Sequence, residues 1–111
     1  SLSTSSAAAL ALLLAAAMPA ARSEPSAARA AALVHLVRQD CGACHGLTLQ
    51  GGLGPALTPA ALRDKDAGSL VATVVHGRPG TPMPPFKGLL EESEAQWIVA
   101  KLMTAFPEEA K

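Results

Sequence analysis

The sequence predicts an all-α domain whose helices are joined by long loops. Apolar residues recur at three- and four-residue spacing in separate stretches, no strand-like alternation of any length occurs, and the connections are rich in Gly and Pro. A first helix is expected from Ser26 to about Arg38, with Ser26 as its cap and Ala30, Leu33, Val34 and Val37 on one side, running directly into Cys41. The segment Gly46–Pro55 (GLTLQGGLGP) cannot be regular structure for long. A short helix is expected from Thr58, with Pro59 in its first turn, where the missing N–H does no harm. Asp66 can cap a third helix carrying Leu70, Val71, Val74 and Val75 and ending at Gly77. Gly77–Pro85 (GRPGTPMPP) holds four prolines and two glycines and should be a fixed, extended loop. The last helix is expected from about Glu91 to Phe106. Ala95, Ile98, Leu102 and Phe106 share one face, Trp97 and Val99 flank it, Glu92 and Glu94 suit the dipole, and Pro107 stops it.

With 111 residues the chain holds one small domain. Its first part is nearly all Ala, Leu and Ser. The run Ala7–Ala17 is short for a bilayer span and is followed by Pro19 and small residues, the layout of a secretory signal, although the basic start usual for such a signal is missing. Residues 1–23 are therefore expected to be a signal peptide cleaved before Glu24, with cleavage after Ala17 or Ala21, or an uncleaved anchor, as alternatives. No lipoprotein cysteine follows the run. Of nine basic residues the signal takes Arg22, leaving eight against nine acidic ones in residues 24–111. That balance excludes a nucleic-acid footprint, which needs clustered Lys and Arg. Two Phe, one Trp and no Tyr leave few large side chains for a core. A domain this small usually needs a disulfide, a metal or a cofactor, and its two cysteines are the candidates.

Cys41-Gly42-Ala43-Cys44-His45 is the Cys-x-x-Cys-His pattern of covalent haem attachment. Two thiols three positions apart on a helical turn can both reach the vinyl groups along one side of a porphyrin, and the adjacent imidazole then projects to the iron. A thiol redox pair or disulfide is the first rival, but those sites sit on strand–helix units. A zinc site is the second, with His35 or His76 as the only histidines available for a fourth ligand. On the other side of the iron, Met raises the reduction potential. Met83 lies between Pro82 and Pro84, 38 positions beyond His45, with enough chain to cross to the opposite haem face. Met103, on the last helix, reads as core filler. His76 is Met83's main rival, although the end of a helix is also where a His does well as a cap.

These residues resemble a known family. CGACHG (41–46), GPAL (54–57) and TPMPPFKGL (81–89), followed by a helix, are similar to a class I monohaem cytochrome c over roughly Leu33 to Phe106. Within that class, Leu47–Pro59 and His76–Pro85 most resemble cytochrome c55X, the small periplasmic cytochrome associated with cytochrome cd1 nitrite reductase in denitrifying bacteria. The resemblance implies a cytochrome c-like fold over residues 24–111 and one covalently bound haem c. It also implies that the Pro55 carbonyl accepts a hydrogen bond from the His45 imidazole, that Arg78 meets a propionate or is simply solvated, and that Phe86 packs near the haem edge. Trp97 is placed where the first and last helices cross, with Ala30 or Ala31 in place of the usual glycine, and Glu91 stands as a weaker cap than the family's Ser or Asp. The implied function is a periplasmic, monomeric carrier of single electrons, not an enzyme, with cytochrome cd1 nitrite reductase as partner and Lys65, Lys87 and Lys101 available to steer docking. The alternatives are a haem-binding factor in d1-haem maturation and a ligand-binding haem sensor.

Overall fold

The computed structural model describes residues 24–110, so the signal peptide expected over residues 1–23 lies outside the described residues. Among the described residues no helix is long and apolar enough to cross a membrane, and there is no strand. Helix α1 spans Ala27–Leu36, and Ser26 caps it by accepting from the Arg29 amide at 3.1 Å. It continues into a π turn, Val37–Cys41, and a last α turn, α2, Gly42–His45. Helix α3 is Pro59–Leu62, capped by Thr58, and α4 is Ala67–His76, capped by Asp66 and ended by Gly77. Helix α5 is Glu92–Thr104. All four expected helices are present; the π turn is new.

Two details of α5 correct the sequence expectation. Glu91 is an effective cap, because its carboxylate accepts from the Glu94 amide while the Glu94 carboxylate accepts from the Glu91 amide, closing a reciprocal capping box. The helix also stops two residues before Phe106. Pro107 disfavours helical backbone in the residue before it, Ala105 is extended, and Arg38 holds the carbonyls of Phe106 and Pro107 from across the molecule.

The core forms where α1, the π turn and α5 meet the loops. Leu33, Val37, Leu49, Leu62, Phe86, Leu90, Ile98 and Leu102 are buried together, and helices α3 and α4 pack on α5. Trp97 is half-buried against this cluster and donates its indole N–H to Glu24, just ahead of α1, at 3.0 Å. Arg29 joins α1 to the start of α5, with bonds to Glu94 at 2.6 and 3.1 Å and to the Leu89 carbonyl at 3.1 Å. Arg29 and the Glu91 amide hold the Glu94 carboxyl below its ordinary 4.5. An acid lowered in the folded state contributes stability that is complete above its unfolded pKa and is lost as pH falls through the folded value. Chemical denaturation followed from pH 7 to pH 3 should therefore show stability declining below about 4.5, less steeply in Glu94→Gln than in the parent.

Candidate haem-attachment site

The π turn and α2 carry Cys41, Cys44 and His45 on one continuous helical rod. Both thiols are free; Cys41 is half-buried against the core cluster and Cys44 is exposed. Burial, with the Asp40 carboxylate adding to it, pushes the Cys41 thiol up to about 11, so it is protonated at neutral pH.

Beyond His45 the chain folds tightly back on the motif. Gly46 turns it with φ +91°, the Gly51 amide donates to the His45 carbonyl at 2.8 Å, and the Gly54 amide donates to the Cys44 carbonyl at 2.7 Å. Those bonds bring the Pro55 carbonyl to 2.6 Å from His45 Nδ1. A carbonyl only accepts, so Nδ1 carries the proton and Nε2 presents its lone pair, the tautomer a metal-binding imidazole needs. Gly54 permits this approach: a Cβ there would lie 2.8 Å from both Cε1 and Nδ1 of His45. Gly54→Ala should push the ring off Pro55 and cost about 1–3 kcal/mol. Gly88→Ala, whose added carbon meets nothing within 4 Å, is the matched control in thermal unfolding.

The segment after α4 is also fixed by short-range bonds. The Arg78 amide donates to the Met83 carbonyl at 3.1 Å, the Thr81 hydroxyl donates to the Arg78 carbonyl at 2.7 Å, and the Met83 amide donates to the Thr81 hydroxyl at 3.3 Å. Phe86 and Lys87 then return to α4, donating to the carbonyls of Val74 and Val75. Met83 is thereby brought half-buried onto the same core cluster that Cys41 touches, and Phe86 is buried within it. Met103 is half-buried against that cluster too. The Arg78 side chain is exposed, and its backbone, rather than its guanidinium, takes part in the loop. His76 is exposed at the end of α4, and His35 is exposed and paired with Glu109. Among the described residues no three His, Cys, Asp or Glu side chains are grouped to hold a metal ion, so neither His35 nor His76 completes a zinc site with Cys41, Cys44 and His45.

Gly46 and Gly54 entered the sequence reading as parts of quoted motifs and Gly77 as a helix end; only the folded chain shows what each one approaches. Leu53, 96% exposed, and Leu47, also exposed, flank the same loop and were not singled out either.

Haem fits these residues. Two thiols and an Nε2 lone pair lie along one short rod, a thioether is held by its loop on the same cluster, and α4 leaves Leu70, Val71, Val74 and Val75 all only half-covered by the protein. A thioether and an imidazole suit haem iron, and a half-covered aliphatic face suits a porphyrin edge.

Comparison with known proteins agrees. Residues 28–100 match the family described as cytochrome c oxidase, cbb3-type, subunit III. The chain is 60% identical to cytochrome c55X of Pseudomonas aeruginosa over 86% of its own length and 81% of the relative's. A solved c-type cytochrome NirC matches with 63% identity and a TM-score of 0.70, covering 71% of this chain and 93% of that one. A third relative, dihydro-heme d1 dehydrogenase of P. aeruginosa, is 42% identical over 67% of this chain, which spans only 15% of that protein. The relatives matched along most of their length are cytochromes rather than enzymes. With its helical fold and its paired cysteines followed by histidine, this chain belongs to the cytochrome c55X family of c-type cytochromes and carries covalently bound haem c.

Proposed function

We propose that this cytochrome carries single electrons in the periplasm, as a monomer, to cytochrome cd1 nitrite reductase in denitrification. The observation that carries the reading is the orientation of His45 through Nδ1 by the Pro55 carbonyl at 2.6 Å; Met83, held by its own loop on the cluster that Cys41 touches, supports it. In this reading Cys41 and Cys44 would form the two thioether links, His45 and Met83 would ligate the iron, Phe86 would pack against the haem and Arg78 would meet a propionate. The haem would supply one reversible redox equivalent. The protein's part is to hold both ligands without rearrangement, keep water from the iron and leave an edge exposed for a partner. Leu47 and Leu53 place apolar surface beside the motif for a small, transient contact.

The partner's chemistry is supported by the third relative. A domain 42% identical to this chain is built into a protein named for dihydro-heme d1, so a cytochrome of this kind is compatible with a neighbour that handles d1-type haem. The same relative favours a second reading, a factor that assists d1-haem maturation. Stopped-flow mixing of reduced cytochrome with oxidised cytochrome cd1 nitrite reductase separates the two. Rapid, reversible exchange supports the carrier. Absence of exchange, together with binding of d1 haem or its precursors, overturns it in favour of maturation.

A further inference from the structure

The π turn Val37–Cys41 is closed locally by Gly42 and braced from a distant segment. Wide turns and kinks in helices are usually traceable to Pro, Gly or an inserted side chain; here Leu33–Cys41 (LVHLVRQDC) contains neither Pro nor Gly, and the one glycine at the turn is Gly42, which closes it. An α-helix advances about 100° per residue, and an i→i+5 turn sets back everything after it by up to one residue's rotation. The Gly42 amide donates to the Val37 carbonyl across this wide turn. It is therefore the turn that decides where Cys41, Cys44 and His45 point relative to the buried Leu33 and Val37.

The turn is contacted by residues 106–109. Arg38 lies within it, and its side chain is only 11% exposed. Its guanidinium donates to the Pro107 carbonyl at 2.8 and 3.2 Å and to the Phe106 carbonyl at 3.0 Å, and sits 5.4 Å from the Phe106 ring centroid. The nearest carboxylate, Glu108, is itself 93% exposed and 3.4 Å away, so backbone carbonyls of the tail are what chiefly solvate this cation. Gln39, also in the turn, donates to Glu109 at 3.3 Å, and His35, just before it, pairs with the same carboxylate.

We propose that the C-terminal segment 106–109 is a strap that stabilises the π turn through Arg38, making Arg38 a positioning residue that sets the direction of the haem-binding motif. The guanidinium bridges two carbonyls with a planar fork, which a lysine cannot do. Without that bridge an ordinary α turn competes, and Cys41 to His45 rotate relative to the core. The proposal rests on the assignment of Cys41, Cys44 and His45 to the haem.

The test uses holo-protein: the parent, Arg38→Ala, Arg38→Lys, a truncation ending at Ala105, and Arg29→Ala as control, since Arg29 ties α1 to the start of α5 instead of contacting the π turn. The readouts are the paramagnetically shifted haem-methyl and His45 ring proton resonances and the reduction potential, with melting temperature measured alongside. The expected result is that Arg38→Ala and the truncation move the resonances in the same sense, beyond the difference between the parent and Arg29→Ala. Arg38→Lys should give a smaller move in that sense. Resonances in Arg38→Ala and the truncation that superimpose on the parent, with only the melting temperature lowered, would overturn the proposal and leave the tail a stabilising contact. A parent protein exported alongside haem-attachment machinery but lacking covalent haem would instead overturn the underlying assignment.

Discussion

Met83→Ala should lower the reduction potential by on the order of 0.2 V, within the ~0.8 V range that axial ligation commands, and open the iron to exogenous ligands. The expectation follows from where the side chain is held. Its backbone is pinned at both N–H and C=O by Thr81 and Arg78, and its thioether rests on the core cluster rather than in solvent. A thioether favours reduced iron, so its loss favours the oxidised form. Carbon monoxide binding to the dithionite-reduced variant, beside a parent that does not bind it, is the direct check. Met103→Leu is the informative comparison, since Met103 also touches the cluster but from within α5. That exchange should leave spectrum and potential in place and alter stability by less than about 1.5 kcal/mol. An unchanged spectrum in Met83→Ala would remove Met83 as ligand. Carbon monoxide binding to the parent itself would favour the sensor reading.

Gly77→Ala should cost about 3 kcal/mol, lowering the melting temperature by on the order of 10–20 °C, and weaken the long-wavelength sulfur-to-iron band of the oxidised protein. Two effects combine at this position. The backbone is left-handed, with φ +71°, and an added Cβ would lie 2.8 Å from the Met83 carbonyl oxygen, the Pro84 carbonyl carbon and the Pro85 nitrogen. None of those atoms is the free end of a flexible side chain, so the Met83 segment itself must move. Gly80→Ala separates the effects. Gly80 has φ +78° but nothing within 4 Å of its Cβ position, so only the left-handed penalty of roughly 1–2 kcal/mol applies. A melting temperature no lower in Gly77→Ala than in Gly80→Ala would mean that the close approach to the Met83 segment carries no energy.

The helices were legible because their signals are local. Ser26, Thr58 and Asp66 each cap the helix they precede, since a side-chain oxygen reaching an amide three residues on needs nothing from the rest of the chain. The apolar spacing of the first and last helical stretches likewise named half of the buried cluster, Leu33, Val37, Ile98 and Leu102, whereas Leu49, Leu62, Phe86 and Leu90 come from elsewhere in the chain. Glu91 was misjudged because residue type alone ranks it low as a cap, whereas its reciprocal pairing with Glu94 depends on both side chains turning towards each other's amides. The early end of α5 was missed for a longer-range reason: Arg38, 68 residues before Phe106, holds the carbonyls there.

By itself the sequence determined the all-α class, the order of the elements and the chemistry on offer: two thiols, one adjacent imidazole, and a methionine between prolines. These follow from residue type and from spacings of a few residues, within reach of local sterics and hydrogen bonding. Tertiary structure decided the rest. It set the tautomer of His45 through the Pro55 carbonyl and required Gly54 and Gly77 where ring and backbone come within 2.8 Å of a would-be Cβ. It also turned the motif by a π turn that Gly42 closes and that residues 106–109 contact through Arg38 and Gln39. Such outcomes depend on distances between segments far apart in the chain, which no local pattern encodes and which packing density and the need to satisfy buried polar groups settle only when the whole domain closes.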